Sequence, residues 1–186
     1  MDEYGERSAN HVFAVGLIVL GLVYLTYVFL WFDFSGFMAM SQSERMTMTA
    51  FYIIASSALL ILGYLLYSWD ELLISFLLVG VGLLELANGI GGWFGYDRWE
   101  GAFLVLAIII IIMAVMVLVQ SGYILGMGML AAAVAYILDA LMSLQAGELM
   151  GTVMGAIYLL ATIMFVYLGV AIVVNDEMDM DVLPIV

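Results

Sequence analysis

The sequence predicts an all-α, polytopic membrane protein, a single domain (1–186) folded as a six-transmembrane-helix bundle. Three observations carry this. Of 186 residues, 67% are hydrophobic and 10% are charged, against about 45–50% and roughly 25% in a soluble domain. The apolar residues gather in six runs, at 12–32, 46–67, 72–96, 101–119, 123–144 and 149–174. Each is about 19 to 26 residues, roughly 28 to 39 Å as helix, against a hydrocarbon core of about 30 Å. A transmembrane β-barrel would show strands of about ten residues that alternate polar with apolar.

The first run, 12–32, follows an acidic segment (Asp2, Glu3, Glu6) and ends at Asp33. A secretory leader has a basic start and a small-residue cleavage site, so this run reads as the first helix of the mature protein. The second run follows Ser41-Gln42-Ser43-Glu44-Arg45, read as a loop. The third follows Asp70-Glu71 and carries Glu85 and Asn88; its end is the least defined, because the glycines of 91–95 already suit a loop. Asp97-Arg98-Trp99-Glu100 separates it from the fourth run, and Gln120-Ser121-Gly122 introduces the fifth, which carries Asp139. The sixth follows the polar stretch 145–148 and leads into an acidic tail.

Small residues mark where helices should touch. Gly122-x-x-x-Gly126, Gly151-x-x-x-Gly155 and Ala131-Ala132-Ala133 permit close backbone approach, within the chain or between subunits.

The formal charge is −13, and the acids concentrate at the ends, 1–11 and 175–186. Solvated termini account for this, and an acidic surface without lysine also suits a high-salt organism. Nothing basic is present to bind nucleic acid or anionic headgroups. No cysteine occurs, which excludes disulfides and thiolate metal sites. No lysine occurs, which excludes a retinal Schiff base, and the single histidine, His11, cannot supply paired haem ligands. Methionine pairs such as Met46-x-Met48 and Met178-x-Met180 raise Cu(I), but no histidine or cysteine accompanies them, so core filling is the better account. No nucleophile–base pair or phosphate loop is visible, which argues against an enzyme. No cofactor and no metal site is expected.

Only Arg7, Arg45 and Arg98 bear on orientation. With six spans, the Arg45 and Arg98 loops share one side, and two arginines against one favour that side as cytoplasmic. Both termini are then expected to be extracellular, in a plasma-membrane protein.

Two acids lie inside apolar spans, Glu85 in the third and Asp139 in the fifth. Inserting each costs about 2.5–3.5 kcal/mol on translocon scales, which makes an intramembrane acid a functional-site candidate. Asn88 shares a helical face with Glu85, and Tyr136 shares one with Asp139. Two readings stand. The four residues line a polar path, or the acids stay protonated and hydrogen-bond a neighbouring helix as structural glue. Asp97, Arg98 and Glu100 are expected to form a further polar cluster, with Trp93 and Trp99 as interfacial anchors, either a structural turn or a pore mouth.

The stretch Gly89-Ile90-Gly91-Gly92-Trp93-Phe94-Gly95-Tyr96-Asp97-Arg98, followed by Gly101-Ala102-Phe103 and Leu106-Ala107-Ile108, resembles the third-to-fourth helix junction of the urea and short-chain amide channels of the AmiS/UreI type. Gly16-Leu17-Ile18-Val19 and Ala133-Val134-Ala135-Tyr136 are similar to the family as well. The resemblance implies a hexameric ring of six-helix protomers, each passing urea or small amides, with both termini outside. It departs from the family where substrate is selected. Met129, Ala132 and Tyr136 stand at the positions of constriction tryptophans, Met154 at that of a glutamate before Gly155, and Ala50 at that of an asparagine.

The expected function is therefore a membrane channel or transporter for a small polar solute, urea or short-chain amides by resemblance. It would work as a homo-oligomer in the lipid bilayer, either passively or coupled to protons. The alternative is an accessory subunit of a larger membrane complex.

Overall fold

Inside a bilayer a backbone can satisfy its polar groups only within itself, and each apolar run forms a helix. The computed structural model describes residues 3–32, 41–94, 100–120, 122–142, 148–180 and 182–185. Six helices lie among them: α1 (Glu3–Phe32), α2 (Gln42–Ser68), α3 (Leu72–Phe94), α4 (Glu100–Val119), α5 (Tyr123–Met142) and α6 (Glu148–Met178). All six contain a segment long and apolar enough to cross a membrane, from Ser8–Phe32 to Met150–Met178. The described residues contain no strand. The protein is a multi-pass, all-α membrane protein.

Helix ends depart from expectation where capping chemistry sets them. Residues 42–45, expected in a loop, form the first turn of α2. Ser41 is the N-cap: its Oγ accepts from the Glu44 N–H at 3.3 Å, and its backbone N–H donates to the Glu44 carboxylate at 2.8 Å. This capping box satisfies backbone donors that the first helical turn leaves open. Bonds from the Ser41 hydroxyl and backbone hold the Glu44 carboxyl below its usual value. The glycines at 91 and 92 are still helical, and Gly95 lies outside the described residues.

Between α2 and α3 the chain reverses within three residues. Asp70 adopts φ 65°, and the Glu71 N–H reaches back to the Leu66 carbonyl at 3.0 Å, a Schellman closure with aspartate where glycine is usual. Left-handed backbone costs a non-glycine residue about 1–2 kcal/mol. Asp70→Gly is therefore expected to raise the unfolding midpoint in detergent slightly. Asp70→Val, which cannot relax into this conformation, should lower it by several degrees in the same thermal scan.

The helices form a ring in sequence order. α1 packs most extensively on α6, α2 on α3 and α4 on α5, with α5 also against α6 and α1 against α2; α3 meets α4 only lightly. His11 near the start of α1 lies 3.3 Å from the Asp176 carboxylate near the end of α6, so the start of α1 and the end of α6 sit on one face, called here the terminal face.

Small residues bring backbones together. A Cβ on Gly169 of α6 would stand 2.7 Å from the Ala14 carbonyl oxygen of α1. The predicted glycine motifs make contacts within the chain. Gly151 and Gly155 face Trp31 and Phe32 of α1, and Gly126 faces Ala114 and Leu118 of α4. Polar groups help at one seam: the buried Ser75 hydroxyl of α3 donates to the Gly63 carbonyl of α2 at 2.8 Å, a bond that hydrocarbon does not compete for.

The outward faces are apolar. Phe29, Ile61, Phe76, Ile108, Leu141 and Ile163, one from each helix, are all more than half exposed. Water would penalise such a surface, and lipid does not.

Residues 177–180 of the acidic tail are exposed, and hydrogen bonds tie the residues after them back to α6. α6 continues to Met178, and the chain then folds back. The Asn175 amide donates to the Leu183 carbonyl at 2.7 Å and accepts from its N–H at 2.8 Å, while the Tyr167 hydroxyl donates to the Pro184 carbonyl at 2.9 Å. Asn175→Ala is expected to release this clasp and speed cleavage of the tail by an added protease, with the helical core unaffected.

Candidate functional site

The third helix must carry Glu85 through the bilayer, and the bundle answers with phenols. Glu85 is fully buried. The Tyr27 hydroxyl of α1 donates to its Oε2 at 2.8 Å, and the Tyr136 hydroxyl of α5 to its Oε1 at 3.3 Å. One carboxyl group thereby ties together α1, α3 and α5. Hydrogen bonds to a carboxyl are among the stronger ones, which offsets part of the cost of burying it.

Asp139 is also buried, at 5% exposure. The Tyr158 hydroxyl of α6 donates to its Oδ2 at 3.1 Å. The two acids are joined through aromatic rings, because Tyr158 stacks on Tyr27 with centroids 4.8 Å apart and planes 14° from parallel. Tyr24 sits at the centre of the cluster. Its ring lies 5.8 Å from Tyr136, 5.9 Å from Tyr158 and 5.7 Å from Phe165. Phe103 of α4 packs on Tyr136 at 5.4 Å, and Tyr52 of α2 packs on Tyr27 at 5.8 Å. Edge-on and offset rings at such separations contribute about 0.5–1.5 kcal/mol per pair beyond area burial.

Each of the six helices thus supplies a side chain to one cluster. Tyr24 and Tyr27 lie on the later half of α1, Glu85 on that of α3, Tyr136 and Asp139 on that of α5, and Tyr52 and Tyr158 on the earlier halves of α2 and α6. With helices alternating in direction, all occupy the membrane half away from the terminal face.

Some buried polar atoms in and near the cluster have no hydrogen-bond partner among the described residues: the Thr162 hydroxyl and both amide atoms of Asn88. Thr162 is 6% exposed. A buried hydroxyl left unbonded costs about 1–3 kcal/mol, so such groups are usually met by water or a ligand.

Of the residues singled out in the sequence, Glu85, Tyr136 and Asp139 come together, though not as helical spacing implied. Tyr136 bonds Glu85 across the bundle, and Asp139 receives Tyr158. Asn88 shares the helix with Glu85 but forms no bond in the cluster. The Trp93 side chain, Asp97 and Arg98 lie outside the described residues. Met129, Ala132 and Tyr136 all face inward on α5 and are fully buried. Sequence reasoning missed Tyr24, Tyr27, Tyr52 and Tyr158. The signal available was a tyrosine inside an apolar span, above all the Tyr24-x-x-Tyr27 pair on one face of α1.

The groups gathered here are carboxyls and phenols. Both hydrogen-bond polar solutes, and both donate or accept protons. Among the described residues no group of three or more His, Cys, Asp and Glu side chains converges to hold a metal ion. No protein-family model matches the chain, and no curated protein matches it.

Proposed function

We propose that the protein passes a small polar solute across the membrane, with the Glu85 cluster as the place where the solute's polar atoms are held. The observation that carries this reading is that side chains from all six helices meet in one buried cluster, at which Glu85 takes two phenol donors, 2.8 and 3.3 Å away. Gluing helices together needs only two of them. Tyr24 packs on Tyr136 within the cluster, so a solute entering it meets phenol hydroxyls beside carboxyl acceptors.

Primary amides and urea carry a carbonyl acceptor and N–H donors on one small frame, which suits that pairing. The junction at 89–108 points to the same substrates. On this reading the protein is not an enzyme. It works as a homo-oligomer, hexameric by the same resemblance, in the plasma membrane with both termini outside. Stopped-flow shrinkage and reswelling of proteoliposomes in urea or acetamide tests it. Flux well above empty vesicles, reduced by Glu85→Gln, is the expected result. Flux equal to empty vesicles, or indifferent to that substitution, overturns it.

The accessory-subunit reading draws on the same bonds, since phenols on α1 and α5 clasping α3 hold three helices together without any solute. Gentle detergent extraction followed by mass measurement separates the two. A homo-oligomer supports transport, and stoichiometric foreign chains support the subunit.

A further inference from the structure

The weakest seam of the ring is the one between α3 and α4, and it opens outward as a groove of about 520 Å³. Its floor is buried: Leu77, Ile110 and Met113 are at most 8% exposed. Its rim is not, since Phe76, Leu83 and Ile109 are each 46–61% exposed. The lining is apolar throughout, from Leu72 to Leu83 on α3 and from Leu106 to Met116 on α4. We propose that this groove holds one acyl chain of a bilayer phospholipid, from the leaflet on the terminal face.

Length and depth select that occupant. From Leu72 to Leu83, eleven residue steps, α3 rises about 16 Å, and one leaflet supplies about half of a 30 Å hydrocarbon core. The groove begins at Leu72, the first residue of the α3 span, and reaches Leu83 just past its middle. On the antiparallel α4 it runs from Met116, near the terminal-face end, to Leu106. It therefore runs for about one leaflet's length, starting at the headgroup boundary on α3 and passing the middle of the α4 span by about one turn. Closeness of α3 and α4 is what a chain lying there would replace.

The rim argues against a helix from a second copy. Membrane helices associate through small residues that let backbones approach, and the rim presents phenylalanine, leucine and isoleucine instead. Gly80 is the one glycine in the lining, and a Cβ there would already meet Leu106 at 3.1 Å. Nor does the lining offer a polar side chain for an interhelical bond. Flexible methionines at positions 113 and 116 suit an occupant of variable shape.

This inference is independent of what the protein carries. It is tested on the full chain reconstituted in phosphatidylcholine vesicles doped with a phosphatidylcholine that bears a photoactivatable diazirine at mid-chain. After illumination the labelled peptides are mapped. Labelling of 72–83 and 106–116 several-fold above the equally apolar outward face of α2 (Ile54, Ile61) is expected. Ile109→Trp, a rim change that leaves the floor intact, should reduce it to the α2 level. Even labelling around the bundle overturns the proposal, as does labelling at the groove that Ile109→Trp leaves unchanged. Because the chain has no cysteine, Phe76→Cys introduces a single thiol. Efficient disulfide dimerisation at that position, with the groove protected from label, would place a second copy there instead.

Discussion

Glu85→Ala is expected to destabilise the protein by about 2–4 kcal/mol, because it takes the carboxyl acceptor away from the buried Tyr27 and Tyr136 hydroxyls. Each of those phenols donates to a Glu85 oxygen, at 2.8 and 3.3 Å. A buried donor that loses its acceptor forfeits its own desolvation cost, about 1–3 kcal/mol, whereas removing both partners together is nearly neutral. The triple change Glu85→Ala with Tyr27→Phe and Tyr136→Phe should therefore be more stable than Glu85→Ala alone, by about 1–2 kcal/mol. Glu85→Gln keeps one acceptor oxygen and a similar volume, and should cost less than about 1 kcal/mol. Chemical unfolding in mixed micelles measures all three. If Glu85→Ala proves as stable as Glu85→Gln, the phenol bonds do not hold the bundle. The transport reading adds a separate expectation: Glu85→Gln folds normally and loses solute flux. Loss of fold and loss of flux thus fall on different substitutions.

The second large effect belongs to Gly169. Its missing side chain admits the Ala14 carbonyl oxygen to 2.7 Å and Ile18 Cγ1 to 2.8 Å of where a Cβ would sit. The first of these is backbone, so an added methyl moves the whole of α1 rather than one rotamer. Gly169→Ala should cost about 1–3 kcal/mol as overpacking, despite the better helix propensity of alanine. Gly169→Leu should leave little folded protein after extraction. Gly80→Ala is the comparison, because its nearest neighbour is the flexible end of Leu106 at 3.1 Å. That variant should stay within about 1 kcal/mol of the parent. Equal behaviour of Gly169→Ala and Gly80→Ala would mean that the α1–α6 seam is loose.

The six helices are legible in the sequence because bilayer thickness imposes a run length that chance rarely produces, and α4, with no polar residue between 101 and 119, is the plainest case. Their ends are less legible. Ser41-x-x-Glu44 reads as polar punctuation until its reciprocal hydrogen bonds place it in the first turn of α2. Glu85 and Asp139 stand out because a carboxyl is costly in hydrocarbon. The tyrosines that receive them do not, since tyrosine is amphipathic and common near membrane interfaces. Nothing local distinguishes Tyr27 and Tyr158, which meet at 4.8 Å, from Tyr64, which points outward at 67% exposure. That distinction is made by which helices become neighbours. Asn88 shows the complementary limit: three residues from Glu85, it remains outside the hydrogen-bonded cluster.

The order in which neighbours pair also bears on how the protein is made. α2 finds α3 directly after it, and α4 finds α5, but the main partner of α1 is α6. Translation runs at about 5–20 residues per second, so Ala14 waits roughly eight to thirty seconds for Gly169 to emerge. During that interval the Ala14–Ile18 face of α1, and Tyr24 and Tyr27 beside it, rest against lipid or the insertion machinery. Biogenesis, more than equilibrium stability, is the stage at which a lesion in α6 should send the newborn chain to quality-control proteolysis.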